Sequence, residues 1–147
     1  MRTLTFISIL FLLACSAGPQ PIRYGEDACN YCKMTIVDQQ HSAEAVTDKG
    51  KVYKFDAIEC LVHYMASLDE SSFHDLLVAD FDNPGSLIDA RTASYLISPN
   101  LPSPMGAFLN AFDDANRAAA VQRTESGTRY TWETLKAAAA SNQLTPP

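Results

Sequence analysis

The chain begins with an apolar segment that is too short to span a membrane. Residues 4–13 are hydrophobic apart from Thr5 and Ser8, and Arg2 places a positive charge ahead of them. A basic residue followed by about ten apolar residues is typical of a secretory signal peptide, whereas a transmembrane helix needs about twenty. We therefore assign residues 1–14 to a signal peptide and exclude them from the fold.

The predicted signal peptide ends at a cysteine that follows Leu12, Leu13 and Ala14. This order is similar to the bacterial lipobox, in which the cysteine is lipidated and becomes the new N-terminus. Acyl chains on Cys15 would anchor the protein to the periplasmic face of the cell envelope, at the inner or the outer membrane, without a spanning helix. Residues 15–23 would then be the lipidated N-terminus and a tether. The alternative is an ordinary secretory signal, which leaves Cys15 free or removes it.

The charge of the chain argues against nucleic acid as a partner. Seventeen Asp and Glu residues against eleven Lys and Arg residues give a formal net charge of −6. Phosphate binding needs clustered Lys and Arg side chains, and the sequence has no basic run.

A β-hairpin followed by a helix is predicted in the first half of the chain. The runs 41–47 and 51–55 alternate in character around residues 48–50, which form an Asp-Lys-Gly turn signal. Asp56 is placed to cap the following helix, with Glu59 completing a pair that resembles a capping box. An apolar stripe supports the helix: Ile58, Leu61, Val62, Met65 and Leu68.

The remaining elements are less regular in pattern. Residues 76–81 and 95–98 are predicted strands, and the Asn-Pro-Gly at 83–85 is predicted to break the chain. Residues 118–123 and 128–132 are predicted to pair as a second hairpin around the turn at 125–127.

A second helix, alanine-rich, is predicted from Glu133 onward, so the second half repeats the layout of the first. The predicted fold class is α+β, with two ββα-like units packed around a shared core. The units cover about 29–70 and 100–144 within a domain of residues 24–147.

The candidate metal-binding segment is Cys29-Asn30-Tyr31-Cys32-Lys33-Met34, which contains three sulfur side chains. Two cysteines at i and i+3 in a turn direct both sulfurs toward one point, and an extended backbone would place Met34 on the same face as Cys32. Thiolate and thioether ligands together select Cu(I).

Three other interpretations of the cysteine pair remain open. Cys29 and Cys32 could form a structural disulfide, since an exported protein is in an oxidising compartment. They could instead form a thioredoxin-type redox pair, as in a membrane-anchored thiol–disulfide reductase, although such pairs precede a helix and the residues here favour a strand. A zinc site would need two more ligands, which Cys60 and His63 could supply.

A second methionine is a candidate ligand from a distant part of the chain. Met105 lies between Pro104 and Gly106, and these residues can hold a loop at a defined position. The alternative is a loop methionine that only packs. The three histidines are scattered along the sequence and are expected to lie at the surface or to form local hydrogen bonds. Among them, His41 is a candidate nitrogen ligand for the metal. No catalytic residues are predicted, because no Ser–His–Asp order, carboxylate pair or glycine-rich phosphate loop is evident.

Three motifs in order resemble those of one family. Residues 27–34 (Asp-Ala-Cys-Asn-Tyr-Cys-Lys-Met), 87–91 (Leu-Ile-Asp-Ala-Arg) and 104–106 (Pro-Met-Gly) look like the ordered signatures of NosL-type lipoproteins, copper chaperones for nitrous oxide reductase. The lipobox and the chain length agree, so the resemblance covers essentially the whole precursor.

The resemblance implies a two-part ββα-type fold and Cu(I) as the bound ion. It also implies that the protein acts together with a membrane ABC-type complex that supplies copper to nitrous oxide reductase. By resemblance the ligand candidates are Cys29, Cys32, Met34 and Met105. The chain departs from the family at Lys33, where many members have Gly, and in the variable stretch 55–60, so Cys60 and His63 inherit no role.

Overall fold

The hairpin predicted in the first half forms one side of a four-stranded sheet. The computed structural model describes residues 18–144, so the signal peptide and Cys15 lie outside the described residues. Strand β1 (Ala43–Thr47) pairs antiparallel with β2 (Val52–Phe55). The turn between them needs Gly50, whose φ is 76° and whose N–H donates to the Thr47 carbonyl at 2.8 Å. The prediction of this hairpin is confirmed.

Two further strands complete the first sheet in the order β2-β1-β3-β4, with all neighbours antiparallel. Strand β3 spans Phe73–Asp80 and covers the predicted strand 76–81 except for its last residue, while β4 spans Asn83–Asp89. The predicted interruption of secondary structure at 83–85 is wrong, because these are the first residues of β4. Proline is tolerated there because β4 is an edge strand, and the register with β3 shifts next to it, between Ala79 and Asp80.

A second, three-stranded sheet has the order β6-β5-β7. Its strands are β5 (Ser94–Ile97), β6 (Leu109–Phe112) and β7 (Thr128–Tyr130), and both pairings are antiparallel. The predicted strand at 95–98 is confirmed as β5, whereas β6 was not predicted. At Gly127, just before β7, an added methyl group would overlap the carbonyl oxygen of Ile97.

The predicted strand at 118–123 is wrong, because these residues belong to helix α2 (Ala115–Glu125). The Asp114 side chain caps this helix by accepting a hydrogen bond from the Asn116 N–H at 2.8 Å. Three consecutive alanines favour a helix, and only Ala118 and Val121 of α2 are buried, at helical spacing. There is accordingly no hairpin at 118–132, and β7 pairs with β5 instead.

Helix α1 (Ile58–Met65) follows β2, as predicted, but its cap differs from the prediction. Ala57 is the N-cap residue and makes no side-chain hydrogen bond. The predicted capping pair is therefore wrong, and both Asp56 and Glu59 are buried. Helix α3 (Trp132–Ala140) begins one residue earlier than predicted and has a capping box formed by Thr131 with Thr134.

One core joins the two halves. Helix α1 contacts β1 and β2 of the first sheet, β6 of the second sheet and α3, while α3 contacts β5 and β7. The largest fully buried side chains come from both halves: Phe55, Ile58, Leu61, Leu76, Tyr95, Trp132 and Leu135. The predicted α+β class is confirmed. No helix in residues 18–144 combines the length and apolar character that crossing a bilayer demands.

Candidate metal centre

The segment 29–34 forms a tight loop ahead of β1. Ala28 and Thr35 pair as an isolated antiparallel bridge at its base. Inside the bridge, the Cys29 N–H donates to the Met34 carbonyl at 2.8 Å. These backbone bonds close the loop and fix the directions of its two cysteine side chains.

Lys33 has a left-handed backbone conformation, with φ of 68°. Its N–H turns back to the Cys29 carbonyl at 3.1 Å. The expectation of an extended backbone between Cys32 and Met34 is therefore wrong, and their relation within the loop depends on this turn. Glycine adopts such a φ without steric penalty, whereas a lysine is strained there.

A third cysteine joins the two in the loop. The Sγ atoms of Cys29, Cys32 and Cys60 all lie within 4.8 Å of one another. Cys29 and Cys60 are buried and Cys32 is half-buried, and all three are free thiols, so the structure shows no disulfide between them. From the sequence, Cys60 was a candidate only for the zinc alternative and not for the copper site. The available signal was the odd number of cysteines that remain after Cys15 is set aside.

The fold brings Cys60 to the loop through β2. Asn30 joins the loop to β2 because its N–H donates to the Lys54 carbonyl at 2.8 Å and its side-chain oxygen accepts from the Lys54 N–H at 2.7 Å. Helix α1 begins at Ile58, directly after β2, and Cys60 lies in its first turn. The contact between the loop and the end of β2 therefore sets the distance between Cys60 and the other two sulfurs.

The three thiols differ in how readily they ionise. A hydrogen bond from the Cys60 thiol, helped by the backbone N–H groups of Cys32, Tyr31 and Asp56, lowers the pKa of Cys29 to about 4 against the opposing effect of burial. The same hydrogen bond, together with burial, raises the pKa of Cys60, while burial is the main cause that raises the pKa of Cys32. The lowered pKa favours the thiolate form of Cys29, and the raised pKa values favour the neutral thiols of Cys32 and Cys60.

The cysteine pair does not have the setting of a thioredoxin-type redox site. Cys29 lies in a loop between two bridged residues, and no helix begins at Cys32. The pKa of Cys29 is lowered chiefly by the neighbouring Cys60 thiol and by backbone N–H groups.

His63 does not join the cluster as the zinc alternative required. Its ring stacks on that of Tyr31, with centroids 5.8 Å apart and an interplanar angle of 14°. Among the described residues, the group of converging ligand atoms contains cysteine sulfurs and no histidine nitrogen. The four-ligand zinc site built on Cys60 and His63 is therefore not supported.

His41 is buried and both of its ring nitrogens are engaged. Nδ1 lies 3.0 Å from the Asp38 carboxylate, and Nε2 lies 3.0 Å from the Asn110 side-chain oxygen. The Asn110 amide nitrogen donates to the carbonyls of Leu101 and Phe108, which fixes its oxygen toward His41. His41 accordingly joins β6 to the start of β1 and has no nitrogen free for a metal.

The two predicted methionine ligands are exposed thioethers. Met34 is 55% exposed on the cysteine loop, and Met105 is 40% exposed. The loop that carries Met105 is held on α1, since the Ser103 hydroxyl donates to Glu59, the neighbour of Cys60. Met34 thus lies on the loop that carries Cys29 and Cys32, and Met105 lies on a loop bonded to the helix that carries Cys60.

The fold and the site together define a metal-binding protein with soft sulfur donors on an α+β scaffold. The chain belongs to the NosL family, whose model matches residues 22–140. It is also similar to the crystal structure of the copper chaperone NosL from Shewanella denitrificans, with a TM-score of 0.69 and 20% identity over 80% of this chain and 94% of that one. At that identity the likeness concerns the fold. No curated protein sequence matches the chain significantly.

Family membership confirms the resemblance stated from the three motifs. NosL proteins are copper chaperones and not enzymes, which confirms the expectation of a non-catalytic protein. The family and the cysteine cluster together support copper as the metal.

Proposed function

We propose that this protein binds Cu(I) through sulfur ligands and delivers it outside the cytoplasm for the maturation of nitrous oxide reductase. The observation that carries the proposal is the convergence of the Cys29 and Cys32 sulfurs, with that of Cys60, within 4.8 Å. Membership of a copper chaperone family supports the choice of copper.

The oxidation state follows from the donors. Cys29 and Cys32 supply thiolates, and Met34 and Met105 supply thioethers, which are polarisable ligands that favour Cu(I) over harder dications. Binding to thiolates also releases protons, so uptake is expected to become tighter as pH rises.

The gradient of exposure across the site supports delivery rather than storage. Cys29 is 1% exposed and Cys32 is half-buried, while Met34 is 55% exposed. Sulfur donors thus run from the edge of the core to the surface, so a partner's ligands can reach an ion without unfolding the domain.

The location and partners of this proposal derive from the sequence. Lipidation at Cys15 would tether the domain to the periplasmic face of the envelope. Resemblance to NosL-type lipoproteins adds a membrane ABC-type complex and nitrous oxide reductase as partners.

An anaerobic Cu(I) titration of the reduced protein lacking residues 1–15, against a competing chelator, tests binding. We expect one equivalent to bind tightly, with much weaker binding in Cys32→Ser and weaker binding of Zn(II) to the wild type. Equal affinities for Cu(I) and Zn(II) would contradict the proposed ligand chemistry.

Delivery is tested in cells that lack the gene. We expect their nitrous oxide reductase to be deficient in copper, and the wild-type gene to restore it where a Cys32→Ser gene does not. Full copper content of the reductase without the gene would contradict the proposed delivery while leaving copper binding intact.

A further inference from the structure

We propose that Cys60 is the third thiolate ligand of the copper ion, so that three cysteines from two separate segments hold it. This inference rests on the proposed copper binding. Neither the sequence motifs nor the resemblance to the family assigns a role to Cys60, which was grouped with a variable stretch of the chain.

The distances suit a single ion. Metal–thiolate bonds are about 2.3 Å long, and three sulfurs arranged in a plane around one ion are then about 4 Å apart. The Sγ atoms of Cys29, Cys32 and Cys60 lie within 4.8 Å of one another, so small side-chain rotations bring all three to bonding distance. No displacement of the loop or of α1 is needed.

The position of the Cys60 sulfur indicates a metal ligand and not a residue that only packs in the core. A buried cysteine is often only a small hydrophobic residue, and Cys60 is fully buried on a helix. Its sulfur, however, lies within 4.8 Å of the sulfurs of both Cys29 and Cys32. The adjacent helix residues Leu61 and Val62 supply the apolar packing of this part of α1.

The surroundings stabilise a bound thiolate cluster. The Cys32 N–H donates to the Cys29 sulfur at 3.4 Å. Such outer hydrogen bonds orient sulfur ligands and spread their charge, and an ion of positive charge offsets the repulsion that three buried thiolates would otherwise have.

The thiol and thioether sulfurs have different roles in the proposed site. The three thiols form the inner set, and the exposed Met34 and Met105 add further sulfur contacts from the rim. Because both methionines are largely solvent-exposed, their replacement by leucine keeps the fold, and the thiol ligands can then be counted without interference.

The test uses the full-length protein, purified reduced and without oxygen, with Cu(I) itself as the probe. X-ray absorption counts the sulfurs bound to copper in a Met34→Leu/Met105→Leu background. We expect three sulfurs in this background and two after Cys60→Ser is added. We also expect Cys60→Ser in the otherwise unchanged chain to weaken Cu(I) binding by at least about 100-fold, because loss of an outer partner alone costs about 10–100-fold.

Val62→Thr is the matched control, since it also places a hydroxyl at a fully buried position of α1 but leaves all three sulfurs. It is expected to keep the Cu(I) affinity within a fewfold of the wild type. Two sulfurs in the double-leucine background, a measurement that needs no change at Cys60, would overturn the inference.

The outcomes also separate this inference from the proposed function. If Cys32→Ser abolishes binding while Cys60→Ser leaves it unchanged, copper binding stands and Cys60 is not a ligand. If the wild type fails to bind Cu(I), both proposals are wrong.

Discussion

The hydroxyl of Ser103 donates a hydrogen bond to the buried carboxylate of Glu59, and this bond joins the Met105 loop to the turn of α1 that carries Cys60. The same hydroxyl oxygen accepts the Leu109 N–H at 3.2 Å. A residue in the second half of the chain thus positions an exposed thioether relative to a thiol from the first half.

Removal of the Ser103 hydroxyl should loosen this loop. Ser103→Ala leaves the Leu109 N–H without its partner and takes one donor from Glu59, a loss of about 1–3 kcal/mol in the free energy of unfolding. Urea unfolding measures it, with Ser103→Thr as the control that keeps a hydroxyl. An alanine variant as stable as the wild type would show that this bond does not hold the loop.

Neutralising Glu59 should stabilise the protein near neutral pH. Burial raises the pKa of Glu59 above its ordinary value of 4.5, so the folded chain disfavours the charged form. The stability linked to this group is fully present below the unfolded-state pKa and is lost as the pH rises through the folded-state pKa.

Glu59→Gln, which keeps an oxygen acceptor for Ser103, should therefore unfold at a higher urea concentration than the wild type near neutral pH, by on the order of 1 kcal/mol. The difference should vanish below the unfolded-state pKa of glutamate. A difference that does not depend on pH would point to packing instead of charge.

The copper-free protein should keep a thiolate into the acidic range. The pKa of Cys29 is lowered to about 4, from an ordinary thiol value of 9.0, chiefly by the hydrogen bond from Cys60. Because the folded-state pKa is depressed, Cys29 contributes stability that is complete above the unfolded-state pKa and is lost as the pH falls through about 4.

A pH titration of thiolate absorbance checks this, and Cys60→Ala should move the ionisation of Cys29 upward because alanine has no hydrogen to donate. Cys60→Ser, whose hydroxyl retains a donor, should move it less. Ionisation at the ordinary thiol value in the wild type would contradict the thiol hydrogen bond.

Replacing Met105 by leucine separates a ligand from a packing residue. Met105→Leu keeps volume and apolar character but removes the sulfur, so we expect lower Cu(I) affinity with less than about 1.5 kcal/mol of lost stability. Leu68→Met adds an exposed thioether elsewhere and serves as the control, with affinity unchanged. Unaltered copper binding in Met105→Leu would reduce the site to the thiols and Met34.

Lipidation should govern location and not binding. Cys15→Ser should leave the precursor unprocessed or the protein mislocalised, while the chain lacking residues 1–15 binds Cu(I) normally. Fractionation of membranes measures the first effect and chelator competition the second. Equal membrane association of the wild type and Cys15→Ser would count against the lipobox.

The elements predicted correctly were those whose signals are local. Strands β1 and β2 flank a turn that needs Gly50, and the three residues 48–50 suffice to specify that turn. Helix α2 was mistaken for a strand because a turn signal at 125–127 suggested a hairpin by analogy with the first half. The Asp114 cap and the alanine run were the better guide, since both act within one turn of helix.

The site was predicted only in the part that is contiguous in sequence. Cys29 and Cys32 are three residues apart, and their sulfurs meet within one loop. Cys60 reaches them only because Asn30 pairs with Lys54 and α1 starts where it does, which is a tertiary result without a sequence motif. Similarly, the left-handed conformation of Lys33 is forced by loop closure against the preference of a lysine.

The closeness of Gly127 to the Ile97 carbonyl makes the metal centre sensitive to a distant position. Any side chain there would push β7 away from β5, and α3 follows β7 directly. Trp132 and Leu135 of α3 lie in the core that α1 shares, so their displacement would tilt the helix that presents Cys60. A substitution of this half-buried glycine would thus impair copper handling without touching a sulfur atom, so a mutation that abolishes function need not lie at the cysteines.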